Sequence, residues 1–381
     1  MDLTFSDEEK MIIELAREFA EKELRPIAHE IDVEKRVPIE VLRKMQEVGL
    51  LGLMIPEEYD GAGVSTACYV QVIEELARVC AAVAIVLSVH NSVGAYPILR
   101  FGSDEQRKNY LPRLASDWIG AFCLSEAASG SDASALELRA TKDGDSYVLN
   151  GAKLWVTNGS IANLYLVLAK TADIPDRPHR GISAFLVERD TPGITVGKLE
   201  DKMGLRASDT AEIHFQDCRV PASALVGEEG IGFKIAMQAL DNGRIGVGSQ
   251  AVGIAQGALE EAVAYAKERV AFGRPIADHQ AIQFMIADME TEISAARSLV
   301  RRAAWRKDAG LSHGKEAAMA KLYASEMSHR VVHRALQVHG GAGYTKEYAI
   351  ERYYRDQRVT EIYEGTSEMQ RIVIGRAVLS E

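Results

Sequence analysis

The change of hydrophobic period along the chain constrains its fold more than any other feature of the sequence. Apolar residues recur at helical spacing from Ser6 onward, at strand spacing from about Trp118, and at helical spacing again from Phe233. The last part contains three long helical runs, at 233–268, 281–307 and 315–338. Helices of about 25 residues need partners along most of their length, so these runs predict a four-helix bundle.

Six short β-rich runs fill the middle of the chain, with Asn-Gly, Asp-Gly and Pro-Gly turn signals between them instead of helices. Strands at this spacing predict a small antiparallel barrel or sandwich. We therefore expect a mainly α fold with a central β-domain. The predicted domains are an N-terminal helical domain at 1–118, a middle β-domain at 119–227 and a C-terminal four-helix bundle at 228–381. The runs are 119–124, 147–149, 153–157, 164–169, 182–187 and 211–215.

Helix-start signals organise the first third of the chain. Ser6 with Glu9, and Ser103 with Gln106, have the spacing of capping boxes, so each pair predicts a helix start. Between them, 69–99 has the composition of a long buried helix, which we expect to be interrupted near its glycine and proline at 94 and 97.

Composition narrows the class of protein. With 381 residues, 47% hydrophobic and 26% charged, the chain is an ordinary globular protein of two or three domains. Its net charge of −11 opposes binding to nucleic acid or to an anionic membrane surface. No apolar run approaches the roughly 20 residues that span a bilayer, and the first ten residues carry charges, so we expect a cytoplasmic location. Four scattered cysteines without a CxxC pair predict buried thiols and no metal site.

One stretch near the C-terminus, 361–370, carries the strongest chemical signal. Glu364 lies between Tyr363 and Gly365, and Ser367 with Gln370 has capping-box spacing, so a helix should begin at Thr366 or Ser367. A loop carboxylate shielded by an aromatic ring can have its pKa raised toward neutrality and act as a general base. The free N–H groups of the first helical turn can hold phosphate or ribose oxygens. The alternative is a solvated surface glutamate.

Four further stretches have the residue types of a ligand site. The loop 122–132 contains small and hydroxyl residues, and 155–159 places Trp155 at a strand end, where it can stack on a planar cofactor or belong to the core. In 269–275 and 279–280, Arg269 can pair with a diphosphate, unless the segment is only a capped helix end. The glycines of 337–344 exceed what one helix cap needs. No GxGxxG follows a strand, which opposes a Rossmann site.

These five stretches, in this order and spacing, resemble the acyl-CoA dehydrogenase family over nearly the whole chain, and its short-chain, butyryl-CoA branch most closely. The motifs Asp201-Lys202-Met203-Gly204 and Leu240-Asp241-Asn242-Gly243-Arg244 add to the likeness. The resemblance implies FAD as cofactor, acyl-CoA as substrate, an electron-transfer flavoprotein as partner, and a homotetramer built as a pair of dimers. It also implies an N-terminal helical domain, a middle antiparallel β-barrel and a C-terminal four-helix bundle.

The resemblance also assigns roles to single residues. Glu364 would be the catalytic base that takes the α-proton. The flavin ring would contact 122–131 and 155–157, while 269–280 and 337–341 would reach the FAD of a neighbouring subunit and 366–368 its adenosine end. The substrate would contact Ser131, Asp241, Asn242, Gly243, Arg244, Tyr363 and Gly365. The implied FAD contacts are Phe122, Cys123, Leu124, Ser125, Gly130, Ser131, Trp155, Val156, Thr157, Arg269, Phe272, Gln280, Gln337, Val338, His339, Gly340, Gly341, Thr366, Ser367 and Glu368.

The same resemblance leaves the acyl group open. Straight short chains are favoured, and branched isobutyryl or 2-methylbutyryl groups are the alternative. No arginine lies in 81–88, which opposes a dicarboxylic substrate, and Ala127 replaces the proline usual after Glu126. An acyl-CoA oxidase would be longer, a DNA-binding flavoprotein relative would be more basic, and a purely helical scaffold would be colourless.

Overall fold

The computed structural model describes residues 4–380, so the two ends of the predicted outer domains, 1–3 and 381, lie outside the described residues. The fold class is confirmed. A helical N-terminal part, a curled middle sheet and a helical C-terminal part follow one another, and the chain is mainly helical, at 59%.

From residue 4 onward, six α-helices form the N-terminal part. Both predicted capping boxes are present, since the side chains of Ser6 and Ser103 each accept an N–H bond three residues on, and Glu9 and Gln106 return the bond. The helices are α1 Asp7–Phe19, α2 Ala28–Glu34, α3 Ile39–Glu47, α4 Thr66–Val89, α5 Tyr96–Phe101 and α6 Asp104–Ser116.

The long buried helix α4 breaks earlier than predicted. Its backbone is non-helical at Cys80 (φ −147°, ψ 93°), and the two arms fold back so that the Tyr69 hydroxyl lies 3.1 Å from Ser88 Oγ. The predicted interruption near residues 94 and 97 is also present, as a π-helical turn at His90–Ala95 between α4 and α5. The sequence around Cys80 has no Gly or Pro, so no local signal marks the break.

The break in α4 is stabilised from another part of the chain. The carbonyls of Arg78 and Val79 would bond within a continuous helix, but here they accept bonds from Tyr353 (2.5 Å) and Arg352 (2.9 Å). Buried carbonyls need such partners, so these two side chains satisfy the backbone that the break exposes.

The middle sheet has seven strands in the order β1-β4-β2-β3-β7-β6, with β5 paired to β4. Most pairs are antiparallel, but β4 runs parallel to β1, with Gly120 opposite Leu164, and to β2, with Arg139 opposite Lys170. The prediction of an antiparallel barrel or sandwich is therefore corrected for these two pairs. The runs 147–149 and 153–157 are one strand, and β2 and β6 were missed because they are largely exposed. The strands are β1 Gly120–Cys123, β2 Arg139–Asp143, β3 Ser146–Thr157, β4 Leu164–Lys170, β5 Ile182–Glu188, β6 Ile194–Leu199 and β7 Thr210–Pro221.

The C-terminal part contains the three predicted long helices within two residues of their expected ends. A short hairpin, β8 Val270–Ala271 and β9 Arg274–Pro275, follows the first of them. One short helix, α10, was not predicted. The helices are α7 Gly232–Glu268, α8 Gln280–Asp308, α9 Gly314–His339, α10 Ile350–Asp356 and α11 Ser367–Ser380.

The helical parts at the two ends of the chain share one hydrophobic core, in which α4 packs on α7 and α8. Glycines on α7 allow this close approach. A Cβ at Gly253 would lie 2.5 Å from the carbonyl oxygen of Glu74, and one at Gly257 would lie 2.1 Å from that of Arg78. The position of α4 on α7 therefore depends on these glycines.

The sheet has two buried faces. Alternate residues of β4 face the two sides: Tyr165 and Val167 belong to the core inside the sheet, whereas Leu164, Leu166 and Leu168 pack with helical residues.

The four cysteines are free and buried, as predicted. Over residues 4–380, no helix combines the length and hydrophobicity that crossing a membrane requires.

Candidate active site

The loop before α11 holds Glu364 in an uncommon backbone conformation. Glu364 has φ +52° and Gly365 has φ +95°, both in the left-handed region. The Gly365 carbonyl accepts bonds from Lys321 Nζ and Gln370 Nε2, each at 2.8 Å. These two contacts fix the loop from α9 and from α11.

The predicted capping box at the start of α11 is wrong in its details. Thr366 caps the helix, since its Oγ1 accepts the Met369 N–H at 3.4 Å. The Gln370 side chain is committed to the loop carbonyls, and the Ser367 hydroxyl is buried without a partner in the described chain. Thr366 is therefore the N-cap, while Gln370 bonds the loop carbonyls instead of closing a capping box.

The Glu364 carboxyl packs directly on the backbone of α7. A Cβ added at Gly243 would lie 1.8 Å from Glu364 Oε2, so only glycine leaves room for the carboxyl. Although the residue as a whole retains some accessible surface, Oε2 is buried and has no hydrogen-bond partner within residues 4–380. Burial raises the pKa of Glu364 to about 7, and the charges of Lys321 and Arg244 oppose that rise.

Two buried cations flank Glu364 without forming an ion pair with it. Lys321 is fully buried, and desolvation lowers its pKa to about 8. Arg244 directs Nη1 to Asp241 Oδ1 at 2.6 Å, while its Nε has no partner in the described chain. The carboxylate is therefore stabilised at a distance, and its oxygens remain available to a ligand proton.

Aromatic and polar side chains close the space around the carboxyl. The Tyr363 hydroxyl donates to Gln250 Oε1, and burial raises its pKa well above the ordinary value. One turn along α7 from Gly243, a Cβ at Gly246 would lie 2.5 Å from Ser88 Oγ and 2.9 Å from the Tyr69 hydroxyl. Helices α4 and α7 thus leave little room beyond Glu364.

A buried ion pair supports the predicted flavin loop. Lys153 Nζ lies 2.6 Å from Glu126 Oε1 and 3.0 Å from the Leu124 carbonyl, and the lysine has no exposed surface. Glu126 also accepts the N–H groups of Glu137 (2.6 Å) and Leu138 (3.1 Å). This network fixes the loop on β3, so the loop does not depend on a proline at the position of Ala127.

The end of β3 presents an aromatic ring beside the same loop. Trp155 lies at an irregularity in the β3–β7 pairing, has φ +58°, and is 60% exposed. Asn158 donates to the carbonyls of Val86 (3.1 Å) and Gly120 (3.3 Å), which ties this strand end to α4 near Ser88. An exposed tryptophan on a fixed strand end fits a planar ring system.

The remaining predicted FAD contacts lie far from Glu364 within one chain. Arg269 follows the end of α7, about 37 Å along that helix from Gly243 at 1.5 Å per residue. Phe272 is 97% exposed at the tip of the β8–β9 hairpin, where Phe272 (φ +53°) and Gly273 (φ +81°) form the turn. Gln280 is exposed at the start of α8. The structure therefore does not bring these residues to Glu364 in one chain.

The glycine turn after α9 also belongs to this distant group. Gln337, Gly340 and Gly341 are exposed, whereas Val338 and His339 are buried. His339 Nδ1 lies 2.8 Å from the Ala335 carbonyl oxygen, and its ring stacks on Tyr265 with 4.5 Å between centroids. The His339 side chain thus packs against the end of α9, while Gln337 and the two glycines face outward.

The other predicted FAD and substrate contacts differ in how far their side chains are exposed to solvent. Phe122, Ser125 and Thr157 are half-buried at the strand ends, and Gly130 and Ser131 are exposed on the loop. Cys123, Leu124 and Val156 are buried and can contribute only backbone or packing. Asn242 is buried with Nδ2 on the Gln238 carbonyl (2.9 Å), while Glu368 is exposed.

Two lysines of the site were missed in the sequence. Lys321 interrupts a helical run whose neighbours Ala317, Ala320 and Ala324 are all fully buried. Lys153 similarly occupies an inward position of β3. In both cases the signal was present, because a lysine at a core-facing position needs a specific partner.

Three family models cover most of the chain. The acyl-CoA dehydrogenase N-terminal domain matches residues 6–117, the middle domain matches 121–218, and the C-terminal domain matches 230–379. Together they span the helical, β and helical parts described above.

Individual proteins are similar over almost the full length. The mitochondrial short-chain specific acyl-CoA dehydrogenase of Bos taurus is 51% identical over 97% of this chain and 90% of its own. The butyryl-CoA dehydrogenase structure from Megasphaera elsdenii has a TM-score of 0.97 at 44% identity, with both chains fully covered. A chain in a structure named for the electron transferring flavoprotein of Acidaminococcus fermentans has a TM-score of 0.98 at 47% identity, again with full coverage of both.

Proposed function

The chain belongs to the acyl-CoA dehydrogenase family of oxidoreductases, and we propose that it converts a short straight-chain acyl-CoA to the trans-2-enoyl-CoA with Glu364 as general base. The observation that carries this proposal is the buried Glu364 carboxyl, which lies against Gly243 with an unpartnered oxygen and a pKa of about 7. A base with a pKa near the working pH is best matched to proton transfer.

Glu364 would take the proton from the carbon next to the thioester carbonyl. That proton becomes more acidic when the carbonyl oxygen accepts hydrogen bonds, because enolate charge is then stabilised. The Glu364 N–H has no acceptor within residues 4–380 and is available for this role. The left-handed backbone at Glu364 and Gly365 would set the direction of this N–H relative to the carboxyl.

The residues present fit FAD, on which the family depends. Trp155 is exposed on a fixed strand end, and the Ser367 hydroxyl is buried without a partner at the start of α11. Trp155, Thr157 and the 122–131 loop would hold the ring system. When bound, the flavin supplies the two-electron acceptor for the hydride that leaves the β-carbon. Lys153 and Glu126 would keep the loop in place beneath it.

The CoA part would lie along the start of α7. Asp241 and Arg244 form an ion pair there. The unpartnered Arg244 Nε can donate a hydrogen bond to the ligand, and the unpartnered Asn242 Oδ1 can accept one. Ser131 is exposed on the facing loop. The likeness to the chain in the electron transferring flavoprotein structure supports an electron-transfer flavoprotein as the acceptor of the electrons.

A short acyl group is favoured by the crowding one turn from Glu364. Ser88 Oγ and the Tyr69 hydroxyl are so close to Gly246 that a methyl group there would collide with both. The similarity to short-chain and butyryl-CoA dehydrogenases supports the same length. Branched short acyl groups are the alternative substrate, since they add width instead of length.

The test is an anaerobic visible spectrum of the flavin-loaded protein with a panel of thioesters. We expect butyryl-CoA to bleach the flavin band fully and faster than isobutyryl-CoA, octanoyl-CoA or glutaryl-CoA. If isobutyryl-CoA bleaches the flavin faster than butyryl-CoA, the substrate is a branched acyl-CoA instead of a straight one. A protein that binds no flavin, or that no thioester in the panel reduces, would refute the proposal.

A further inference from the structure

A cavity of about 180 Å³ lies outside the candidate active site, between the two ends of the folded-back α4 region and the end of α8. Its wall is mostly carbon, from side chains that include Ile55, Ala95 and Leu99. One charged group, Lys307, also lines it. None of the lining residues belongs to the site around Glu364, so the proposed reaction does not account for this cavity.

The ammonium of Lys307 is short of a partner. Its Nζ is buried and makes no hydrogen bond within residues 4–380. It lies 5.1 Å from the centroid of the Tyr96 ring, and the charge of Asp308 acts on it without a hydrogen bond. Burial lowers the pKa of Lys307 to about 8, so the group still carries its proton at pH 7. A buried ammonium without a hydrogen-bonding partner destabilises the fold, and an anion would relieve that cost.

The neighbouring polar groups are committed elsewhere. Both carboxylate oxygens of Asp308 accept backbone N–H bonds at the start of α4, from Thr66 (2.8 Å) and Ala67 (3.0 Å). Asn91 accepts the Met54 N–H at 3.1 Å and donates to the Leu87 carbonyl at 3.2 Å. Neither side chain is directed to Lys307, so the missing partner must come from outside the described chain.

The cavity also defines the size and the character of that partner. At about 30 Å³ for each water-sized group, 180 Å³ holds about six non-hydrogen atoms. A carbon-rich wall disfavours a strongly hydrated inorganic anion, because most of its hydration would be lost without replacement. An anion with a carboxylate at one end and a short hydrocarbon at the other satisfies both the charge and the wall.

We propose that this cavity is a binding site for a short-chain monocarboxylate of about four carbons, with its carboxylate ion-paired to Lys307 Nζ. The hydrocarbon end lies against Ala95 and Leu99. The mouth is formed by Met54, Tyr96, Leu99 and Lys307, which retain partial exposure while the deeper wall is buried. This site is separate from the acyl-CoA site and needs neither Glu364 nor a thioester.

The test is calorimetric titration of the flavin-loaded protein with sodium butyrate at pH 7 and constant ionic strength. We expect one saturable site per chain, at least tenfold weaker in Lys307→Met and unchanged in Lys108→Met, which removes a charge from an exposed part of α6. Ala95→Leu fills the cavity while keeping Lys307, so it should also abolish binding. Sodium sulfate at equal ionic strength should give no saturable heat.

A second measurement keeps the proposal falsifiable if a variant is poorly folded. Butyrate should raise the thermal midpoint of the unaltered protein and of Lys108→Met, but not that of Ala95→Leu. If Lys307→Met still gives the saturable heat of butyrate binding, butyrate binds at another place, such as the acyl pocket, and the proposal is overturned. The absence of any saturable heat in the unaltered protein would mean that the cavity holds water only, with the same consequence.

Discussion

At the scale of single residues, the site depends on one carboxyl that folding holds in a poorly hydrated position. Glu364 is protonated in the folded state up to pH about 7, whereas in the unfolded chain it loses its proton near pH 4.5. Between these values the folded state binds the extra proton, so this carboxyl makes the protein less stable as pH rises. Its burial is thus a cost of the reactive site.

Glu364→Gln should therefore stabilise the protein at high pH. Glutamine has no proton to lose, so we expect a gain of about 1 to 3 kcal/mol at pH 8, less than the full pKa shift implies because the residue is partly exposed. At pH 5 the gain should be about a quarter of that at pH 8, because the unfolded carboxyl is already mostly ionised there while the folded one is still protonated. Urea unfolding of both proteins at the two pH values measures it. An equal gain in the free energy of unfolding at both pH values would show that the carboxyl is not desolvated.

Lys321 should set the pH at which Glu364 becomes a base. Its charge lowers the pKa of Glu364, so Lys321→Met should move the acid limb of the kcat/KM profile to higher pH, while also loosening the Gly365 carbonyl. Lys22→Met, on the exposed face of the N-terminal helices, is the matched control and should leave the profile unchanged. An unshifted limb in Lys321→Met would mean that the lysine only positions the loop.

At the scale of elements, the Lys153–Glu126 pair joins β3 to the flavin loop. Lys153→Met leaves Glu126 buried without its cation, and we expect a loss of about 3 to 5 kcal/mol together with reduced flavin content. Adding Glu126→Gln should recover part of that stability, because a neutral amide oxygen still accepts the Glu137 and Leu138 N–H groups. A double variant that is less stable than Lys153→Met would contradict this account.

Some helices and strands could be predicted from the sequence, and others could not. The long helices α7, α8 and α9 were predictable because their apolar period is continuous over many turns. The break at Cys80 was not, since Tyr353 and Arg352 stabilise it from more than 270 residues away in sequence. Strand β6 was missed because its exposed pattern lacks the alternation that marks a half-buried strand.

The site residues also differ in whether their neighbours in sequence or their neighbours in space reveal their role. The sequence around Glu364 offers a local signal in Tyr363, Gly365 and a helix start, but the role of base was assigned to Glu364 by the resemblance to the family. The core-facing position of Lys321 was a signal that was missed, but the contacts of Lys321 and Gly243 with the loop exist only when α9 and α7 meet it. Side chains that act through packing therefore require the structure, whereas side chains that carry a local backbone signal do not.

At the scale of the whole molecule, one chain does not bring all the predicted flavin contacts together. Because α7 ends about 37 Å along its axis from Gly243, and Arg269 and the Phe272 tip follow that end, we expect them to serve the site of another subunit. Arg269→Gln should then lower flavin content without changing the stability of the flavin-free protein. Arg36→Gln, at a similarly exposed arginine, is the control. Unchanged flavin content in Arg269→Gln would oppose a shared site.

The central claim is that Glu364 is the base, and anaerobic stopped-flow reduction of the flavin by butyryl-CoA tests it most directly. The unaltered protein should bleach at a rate that rises through pH about 7, the pKa of Glu364. Glu364→Gln should retain its flavin and bind the thioester, but bleach about 10² to 10⁴ times more slowly at every pH. A Glu364→Gln protein that bleaches within tenfold of the unaltered rate would contradict the account.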